Sequence, residues 1–352
     1  MEKIKVGMIG AGNIANTHLD AYKKVPEVEV VCACDIDSER LKLTCDKYGI
    51  KGYNSVTEML ANEKLDAADV CVWNCNHAKC TIEALDAGLH VMCEKPMAYN
   101  TREAEEMKAA AERNGKLLVI GFVTRFADET RIVKDFIDKD YLGDIYYAKA
   151  QYVRRHGNPG GWFADSSRSG GGPVIDLGVH VIDRARYLMG SPKPVSVYAA
   201  TFSELGENRK KLQTTVGWSP RNAKPDDICD VEDFGTALIR FDNGAVIQLE
   251  TAYAINDKPK SGLMLCGNKG GIQTGAGELI LYSDTNGFMT DTKIDINNYK
   301  YSKELFAAEM QHFADCILGR CECNATPDDG IIVMKILDAI YESARTGHEV
   351  IL

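Results

Sequence analysis

The chain has 352 residues, of which 45% are hydrophobic and 26% charged, a composition typical of a globular protein with two domains. Its 41 basic and 51 acidic residues give a formal net charge of -10, which disfavours nucleic acid or an anionic membrane as a partner. The sequence contains no run of about 18 apolar residues that would span a membrane, and its first residues, MEKIKVGMIG, have the pattern of a strand rather than a signal peptide.

Residues 1–123 form the first predicted domain, in which short apolar runs alternate with helical patterns. The predicted strands cover residues 4–9, 28–34, 68–72, 90–93 and 117–122, and the predicted helices cover residues 14–24, 38–48, 56–61, 78–87 and 101–113. The last of these helices has a capping signal, because Asn100 precedes it and Glu103 follows three residues later. This alternation predicts an α/β domain with a parallel sheet.

Residues 124–352 form the second predicted domain, which has an α+β pattern with an antiparallel sheet. A helix is predicted over residues 128–139 and a strand over 144–154. Two later strands, over residues 234–241 and 245–253, flank the tight-turn sequence Asp242-Asn243-Gly244. Residues 203–230 are polar and predict a loop excursion. Helical spacing from Phe306 to Ile317, and then Thr326-Pro327, predicts two closing helices.

A glycine motif follows the first predicted strand. Gly10-Ala11-Gly12-Asn13-Ile14-Ala15 fits G-x-G-x-x-A, in which Gly10 makes the tight turn and Gly12 lets the backbone approach a pyrophosphate. The N–H groups of Asn13 and Ile14 begin the next helix, whose positive end attracts the anion. The motif alone is weak, but the strand before it and the helix after it predict a dinucleotide site rather than an unrelated glycine turn.

Asp35 ends the second predicted strand, twenty residues after Ala15. A carboxylate there accepts hydrogen bonds from ribose hydroxyls and repels a 2′-phosphate, which favours NAD over NADP. Arg40 lies nearby and could meet that phosphate, so NADP stays open as the less favoured cofactor.

Two further segments predict proton transfer. Lys95 follows a strand of the predicted parallel sheet, where ligands of such sheets bind. If residues after Pro173 are helical, Asp176 and His180 lie four apart on one face, and an Asp–His pair orients the imidazole. Oxidation of an alcohol needs a base for the hydroxyl proton and a cation beside the developing alkoxide. His180 can be the base and Lys95 the cation, or their roles can be reversed.

Twelve cysteines are scattered through the predicted strands and helices. Without a secretory signal, buried reduced thiols and a cytoplasmic location are expected. Two groups could hold a metal ion: one near His77, with Cys71, Cys75 and Cys80, and one near His312, with Cys321 and Cys323. Neither has the paired CxxC spacing of zinc sites, so we expect no metal.

Four segments, GAGNIA, AGLHVMCEKP, GGGPVIDLGVHVID and VEDFGTALIRFDNGAV, together resemble the glucose–fructose oxidoreductase / inositol dehydrogenase / MocA (Gfo/Idh/MocA) family. The resemblance extends over nearly the whole chain. It implies a Rossmann domain followed by an α+β domain with a large, mostly antiparallel open sheet, which commonly forms homodimers or homotetramers. It also implies that Lys95 is the lysine of the EKP motif and that Asp176 and His180 are the catalytic aspartate and histidine.

The same resemblance implies that four further residues lie near the cofactor or the active site: Asn74, His77, Glu94 and Arg125. The sequence departs from the family pattern in two places. Val72-Trp73-Asn74 stands where members commonly have Thr-Pro-Asn, so that Trp73 replaces the proline, and Val123 lies where a polar residue is common. Trp73 is therefore expected to reshape the cofactor pocket.

A basic and aromatic stretch, residues 154–163, leads toward the catalytic segment. Its His156 and Trp162, with Arg168 beyond it, are the candidate substrate contacts beside Lys95, Asp176 and His180. Such residues suit stacking on a sugar face and bonding to hydroxyls, although a structured loop with packed aromatics would look the same.

The preferred hypothesis is an NAD-dependent dehydrogenase acting on a secondary hydroxyl of a sugar, a glycoside, for instance at C3 of a glucoside, or an inositol. The resemblance also allows a redox-neutral glycosidase or lyase that oxidises, eliminates and reduces again with bound NAD. A non-catalytic NAD-sensing protein is less favoured, because the Lys95, Asp176 and His180 set is intact.

Overall fold

The computed structural model describes residues 3–205, 227–296 and 304–352. The chain divides into two compact units: Met1–Val123 with Glu304–Met334, and Thr124–Lys303 with Lys335–Leu352. The sequence predicted domains over residues 1–123 and 124–352. The structure differs in one respect: residues 304–334 belong to the first unit and not to the second.

The first unit is built on a six-stranded sheet in which all neighbouring strands are parallel, in the order β3-β2-β1-β4-β5-β6. Its strands are β1 (Ile4–Ile9), β2 (Val28–Cys34), β3 (Lys51–Tyr53), β4 (Ala67–Val70), β5 (His90–Glu94) and β6 (Leu118–Gly121). The prediction of a parallel sheet is confirmed. The short edge strand β3 was not predicted, because three residues carry too little alternation to be recognised.

Five helices follow these strands: α1 (Asn13–Tyr22), α2 (Ser38–Tyr48), α3 (Val56–Asn62), α4 (His77–Asp86) and α5 (Thr101–Asn114). Their ends follow from local chemistry. The Asn100 side chain accepts a hydrogen bond from the Glu103 N–H at 3.0 Å, which confirms the predicted cap of α5. Gly115 then ends α5 with φ of 60°, a left-handed conformation that suits glycine.

Helix α9 (Leu305–Ile317) brings the late segment into the first unit. It packs against α1, and its Met310 and Phe313 side chains are buried. The Phe306 ring lies 5.6 Å from the His18 ring of α1. Burial of this apolar face is the physical reason why the segment belongs with the first unit.

The second unit contains a nine-stranded sheet in the order β14-β13-β12-β11-β7-β10-β9-β8-β15. Its strands are β7 (Ile145–Val153), β8 (Pro194–Phe202), β9 (Phe234–Phe241), β10 (Val246–Ala252), β11 (Lys260–Gly267), β12 (Gly271–Gly275), β13 (Glu278–Thr285), β14 (Phe288–Lys293) and β15 (Val350–Ile351). Only the central β7–β10 pair is parallel among these described strands, so the predicted mostly antiparallel sheet is confirmed. The predicted turn joins β9 and β10, with Gly244 at φ of 84°.

The second unit also holds α6 (Asp128–Asp138), α7 (Ser166–Ser169) and α8 (Val179–Leu188). Helix α10 (Pro327–Thr346) starts in the first unit and ends in the second, and the Thr326 hydroxyl caps its predicted start by accepting from the Asp329 N–H at 3.2 Å. Most of the polar excursion expected over residues 203–230 lies outside the described residues. In the described part of the chain, none of the helices is long and apolar enough to cross a membrane.

Candidate functional site

The predicted catalytic residues are divided between the units. Lys95 belongs to the first unit, whereas Asp176 and His180 belong to the second. Each unit therefore carries its own part of the candidate machinery.

The glycine turn after β1 requires glycine at position 10. Gly10 has φ of 104° and donates its N–H to the Cys34 carbonyl at 2.8 Å. A Cβ on Gly10 would lie 2.2 Å from the Cys71 carbonyl oxygen, far inside contact distance. Any side chain here would push β1 away from the loop after β4. The first position of the motif is therefore glycine because the main chain of that loop passes so close to it.

The start of α1 fits a pyrophosphate. A Cβ on Gly12 would meet no described atom within 4 Å, so the space above this residue is open to a ligand. No side chain caps the helix at Gly12, which leaves the first N–H groups, those of Asn13 and Ile14 among them, for an anion. Ala15 is fully buried, as the motif requires for close packing of α1.

Asp35 ties the end of β2 to the glycine turn. One carboxylate oxygen accepts the Ala11 N–H at 2.8 Å, and the other accepts the Asp37 N–H at 2.8 Å. Arg40 lies 3.8 Å from Asp35 but is hydrogen-bonded to Asp37 at 3.1 Å. Because a carboxylate has about four acceptor sites, Asp35 retains capacity for ribose hydroxyls while it orders the turn.

The loop that carries Lys95 is held by buried neighbours. Glu94 ends β5, and its carboxylate accepts the main-chain N–H of Lys95 at 2.9 Å. The Lys95–Pro96 peptide bond is cis. His77 Nδ1 lies 2.7 Å from the Pro96 carbonyl oxygen, on the other side of Lys95. Lys95 is thus bracketed by two buried side chains that bind its own and its neighbour's main chain.

His77 has two carbonyl neighbours, since its Nε2 also lies 3.1 Å from the Val72 oxygen. Donation to both would need an imidazolium, whereas burial lowers the pKa of His77. We assign the neutral ring, whose single N–H donates over the shorter distance to Pro96. His77 therefore orders the Lys95 loop, and the nearby Asn74 is buried at the start of a short turn, Asn74–Asn76. Whether either residue contacts the cofactor stays a prediction.

A buried histidine that the sequence analysis missed connects this loop to the sheet. His18 of α1 lies with Nδ1 2.9 Å from Asp69 and Nε2 3.0 Å from Glu94. The second contact is an ion pair without a hydrogen bond. Burial opposes protonation, but Cys71 and Asp69 raise the pKa of His18 well above its usual range. His18 is thus a buried cation between two carboxylates.

Glu309 of α9 closes this cluster. It is buried, and no described residue donates a hydrogen bond to either of its carboxylate oxygens. Burial raises the pKa of Glu309 well above its usual range; His18 opposes the shift, and the nearby carboxylates of Glu94 and Asp69 add to it. We assign Glu309 as a neutral acid in the folded protein at neutral pH.

In the second unit, the predicted helix after Pro173 begins with a wide turn. Val174–Gly178 forms a π-helical turn that contains Asp176, and α8 with His180 follows directly. Such wide turns often occur at functional sites, since they change the direction in which a side chain projects. The segment is helical as predicted, but its hydrogen-bond spacing differs from that of a regular α-helix.

Asp176 has a partner that its helix does not supply. The Tyr253 hydroxyl, just after β10, donates to Asp176 Oδ2 at 2.8 Å. Tyr253 is fully buried, and burial together with Asp176 raises its pKa well above its usual range, so it stays a neutral donor. The Arg154 guanidinium lies 6.0 Å from the centre of the Tyr253 ring. Tyr253 and Arg154 are therefore candidate site residues that the sequence analysis did not select.

Glu232 holds the triple-glycine turn in front of Asp176. Its buried carboxylate accepts the N–H groups of Gly172 at 2.9 Å and Val174 at 3.0 Å, and the Tyr341 hydroxyl at 3.0 Å. A Cβ on Gly171 would lie 2.0 Å from that hydroxyl oxygen. The glycines are needed because Glu232 and Tyr341 approach the main chain closely.

The candidate substrate contacts lie between β7 and the π-helical turn, with Arg168 on the short helix α7. His156 is half-buried and pairs with Ala254 in an isolated bridge. Trp162 stacks on Phe163 with ring centres 3.9 Å apart. Arg168 is exposed and forms an ion pair with Asp165 at 3.1 Å. Their roles toward a substrate stay predictions.

Arg125 has a clear structural partner. Its guanidinium is buried, bonds Asp183 through two nitrogens, one at 2.9 Å, and lies 4.7 Å above the Tyr187 ring. This buried pair joins the start of the unit to α8. The geometry gives Arg125 a role in holding α8, and contact with the cofactor stays a prediction.

Comparison with known proteins relates both halves of the chain to one family. The model described as "Oxidoreductase family, NAD-binding Rossmann fold" matches residues 4–122, and the model described as "Oxidoreductase family, C-terminal alpha/beta domain" matches residues 134–352. Gly10, Lys95, Asp176 and His180 all lie inside the matched ranges.

Several named proteins are similar over almost their full length. The D-glucoside 3-dehydrogenase of Escherichia coli (strain K12) is 34% identical over 356 residues, which cover 99% of this chain and 97% of the relative. The D-apiose dehydrogenase of Paraburkholderia graminis is 25% identical and covers 99% of this chain and 90% of the relative. A solved aldose-aldose oxidoreductase from Caulobacter crescentus, complexed with glycerol, has a TM-score of 0.82 at 25% identity, with 100% of both chains covered.

Proposed function

Since the chain belongs to the Gfo/Idh/MocA family of NAD(P)-dependent oxidoreductases, we propose that it is an NAD-dependent dehydrogenase that oxidises a secondary hydroxyl of a sugar, a glycoside or an inositol. The observation that carries the proposal is the Lys95 loop, held by Glu94 and His77 beside an intact dinucleotide turn. Within this class we favour C3 of a glucoside, because the D-glucoside 3-dehydrogenase is similar over 99% of this chain.

The proposed chemistry divides into hydride and proton transfer. NAD held by the glycine turn and Asp35 would supply the acceptor for the hydride that leaves the hydroxyl-bearing carbon. The hydroxyl proton goes to a protein base, and we assign Lys95 and His180 as the groups that take the proton and stabilise the oxyanion. Asp176 supplies a carboxylate whose orientation is fixed by Tyr253.

A substrate panel tests this function. Purified protein would be incubated with NAD and with glucosides, free sugars, an anhydrosugar and inositols, and formation of reduced cofactor would be followed by absorbance. We expect turnover on at least one glucoside. Turnover of none of these classes would contradict the proposal. Release of free sugar from a glycoside without net reduced cofactor would instead favour the redox-neutral reaction.

Replacing Tyr253 by phenylalanine is expected to lower kcat/KM by about tenfold, because the Asp176 carboxylate loses the hydrogen bond that the Tyr253 hydroxyl donates to it. The measurement is steady-state kinetics together with thermal unfolding. Tyr147→Phe is the matched control, since Tyr147 donates to Gln248 on the same sheet at 2.6 Å. Equal kinetics in both variants would remove Tyr253 from the proton-transfer machinery.

Replacing Asp35 by alanine is expected to lower the preference for NAD over NADP by about tenfold, since the ribose loses an ionic acceptor. KM for NAD should also rise, because Asp35 holds the Ala11 N–H of the glycine turn. The ratio of kcat/KM for the two cofactors measures the effect, with the exposed Asp46→Ala as control. An unchanged ratio would exclude Asp35 from the ribose site.

We also propose that the nine-stranded sheet forms the contact of a homodimer or homotetramer. Tyr198 and Leu238 face each other across β8 and β9 and are 54% and 49% exposed. An apolar patch of this kind favours a protein contact. Leu238→Asp should lower the mass measured by light scattering after gel filtration, whereas Leu43→Asp, at a 54% exposed residue on α2 of the first unit, should not. An oligomer that survives Leu238→Asp would exclude this face.

The thiols support a reducing location. All twelve cysteines carry thiols in the structure, and Cys32, Cys34, Cys71 and Cys93 are buried. Burial raises the pKa of Cys32 to about 12, which makes it unreactive. We therefore propose the cytoplasm as the compartment in which the enzyme works.

A further inference from the structure

A second cluster of reactive side chains lies outside the proposed catalytic machinery, at the end of α9. His312 and Cys316 lie one turn apart on α9, and Cys321 and Cys323 lie on the loop before α10. His312 Nε2 is 3.4 Å from Cys316 Sγ, His312 Nδ1 is 3.5 Å from Cys321 Sγ, and the Sγ atoms of Cys316 and Cys321 are 3.6 Å apart. The thiol of Cys323 also interacts with that of Cys316. Two sulfurs and an imidazole are thus gathered within 4.8 Å of one another, and the Cys323 thiol lies beside this group as a neighbour of Cys316.

These distances match those between the ligands of a tetrahedral zinc ion. Zinc binds sulfur at about 2.3 Å and nitrogen at about 2.0–2.1 Å, so two sulfurs lie about 3.8 Å apart and a sulfur and a nitrogen about 3.6 Å apart. The separations of Cys316 Sγ from His312 Nε2, 3.4 Å, and from Cys321 Sγ, 3.6 Å, are close to these spacings. The three ligand atoms all lie within 4.8 Å of one another. We propose that His312, Cys316, Cys321 and Cys323 form a structural site for zinc or a similar thiophilic divalent ion.

The loop that returns the cysteines to the helix is already ordered. Gly319 has φ of 66°, which turns the chain back after α9. The Arg320 N–H donates to the Asp315 carbonyl at 2.8 Å, and its guanidinium binds Glu27 at 2.7 Å. This turn brings Cys321 to the end of the helix before any ion binds, which reduces the ordering cost of binding.

The histidine changes partner when it binds the ion. The Asn324 N–H now donates to His312 Nε2 at 3.1 Å, so it uses the lone pair that the ion would take. Coordination through Nε2 replaces this hydrogen bond, and the thiols release their protons as they bind the ion. The Cys316 and Cys321 sulfurs already lie close together, and Cys323 moves in to join them. Cys316, Cys321 and His312 are therefore the core of the site, and Cys323 is its fourth ligand.

The expectation of no metal rested on the absence of CxxC pairs, but here a helical turn and a reverse turn bring the ligands together. One other described group has metal-type side chains at similar spacing: His18, Asp69 and Cys71. There the imidazole already lies between Asp69 and Glu94 and is fully buried. That group carries no proposal, whereas the α9 cluster includes the exposed Cys321 and has a route for an ion.

The test uses the full chain, purified with a reductant, loaded with zinc chloride and freed of unbound metal by gel filtration. Metal analysis should find about one zinc ion per chain. Cobalt(II) in place of zinc should give the charge-transfer absorbance of thiolate ligands. The double variant Cys321→Ser/Cys323→Ser should lose both, and Cys45→Ser/Cys266→Ser, which removes two half-buried thiols elsewhere, should lose neither.

Stability gives a second measurement. A chelator should lower the thermal midpoint of the zinc-loaded wild type by several degrees and leave that of Cys321→Ser/Cys323→Ser unchanged. His312→Gln should weaken zinc retention but keep the cobalt–thiolate absorbance. Zinc retained equally by the double variant, or not retained by folded, NAD-binding wild type, would overturn the proposal. A Cys316–Cys321 disulfide formed on oxidation by a chain that retains no zinc would overturn it in favour of a redox pair.

Discussion

Replacing Lys95 by alanine is expected to lower kcat by about 10²-fold or more, the usual contribution of a proton-transfer group, while the affinity for NAD changes little. The structure makes this variant informative, because Glu94 binds the main-chain N–H of Lys95 and His77 binds the next carbonyl. Both contacts survive truncation of the side chain, so the loop should keep its shape. Steady-state kinetics and a direct NAD titration measure the two quantities.

Two further variants complete this experiment. Lys42→Ala removes a lysine side chain that is 77% exposed on α2 and should leave kcat unchanged. His180→Ala should lower kcat by a similar factor to Lys95→Ala. If His180 is the base, the remaining activity should also lose its pH dependence near neutrality. Loss of NAD binding or of folding in Lys95→Ala would show that Lys95 is structural.

Replacing His18 by alanine is expected to lower the free energy of unfolding by about 3–5 kcal/mol, because Asp69 and Glu94 would remain buried without their cation. Urea unfolding measures the loss. His348→Ala, which removes an exposed histidine near the C-terminus, is the control and should be close to neutral. A loss below about 1 kcal/mol would mean that His18 is not the cation of this cluster.

The effect of His18 should depend on pH in a defined direction. Its pKa is raised in the folded state, so its stabilisation is fully present below its unfolded pKa of about 6.5 and is lost as pH rises through the folded pKa. The difference in free energy of unfolding between wild type and His18→Ala should therefore be larger at about pH 6 than at about pH 10. The stability of both proteins also falls with rising pH because of Glu309. Its pKa is raised in the folded state, so folding favours its neutral form. A difference between the two proteins that does not change with pH would contradict a protonated His18.

The sequence predicted those parts of the fold that depend on nearby residues. The glycine turn, the Asn100 cap and the β9–β10 turn each depend on a few consecutive residues, and each was found. The assignment of residues 304–334 could not be predicted. Its reason is the packing of α9 on α1, between segments almost the whole chain apart.

In the site, too, only residues that belong to a local motif could be predicted. Gly10 was identified because it belongs to a local motif. His18 and Asp69 are 51 positions apart, and Tyr253 and Asp176 are 77 apart. A histidine on the buried face of α1 looks like any core residue until the carboxylates around it are known. Without an alignment, a single sequence holds no signal for such pairs.

The position of α9, far along the chain from α1, has a consequence for folding during synthesis. A ribosome adds about 5–20 residues per second, and Glu304 emerges about 180 residues after Val123. For about 10–40 s after Val123 is added, α9 has not been synthesised, and the face of α1 that it covers therefore stays exposed. The sheet of the first unit can assemble early, but the core of this unit is complete only after residues 304–334 have also left the ribosome.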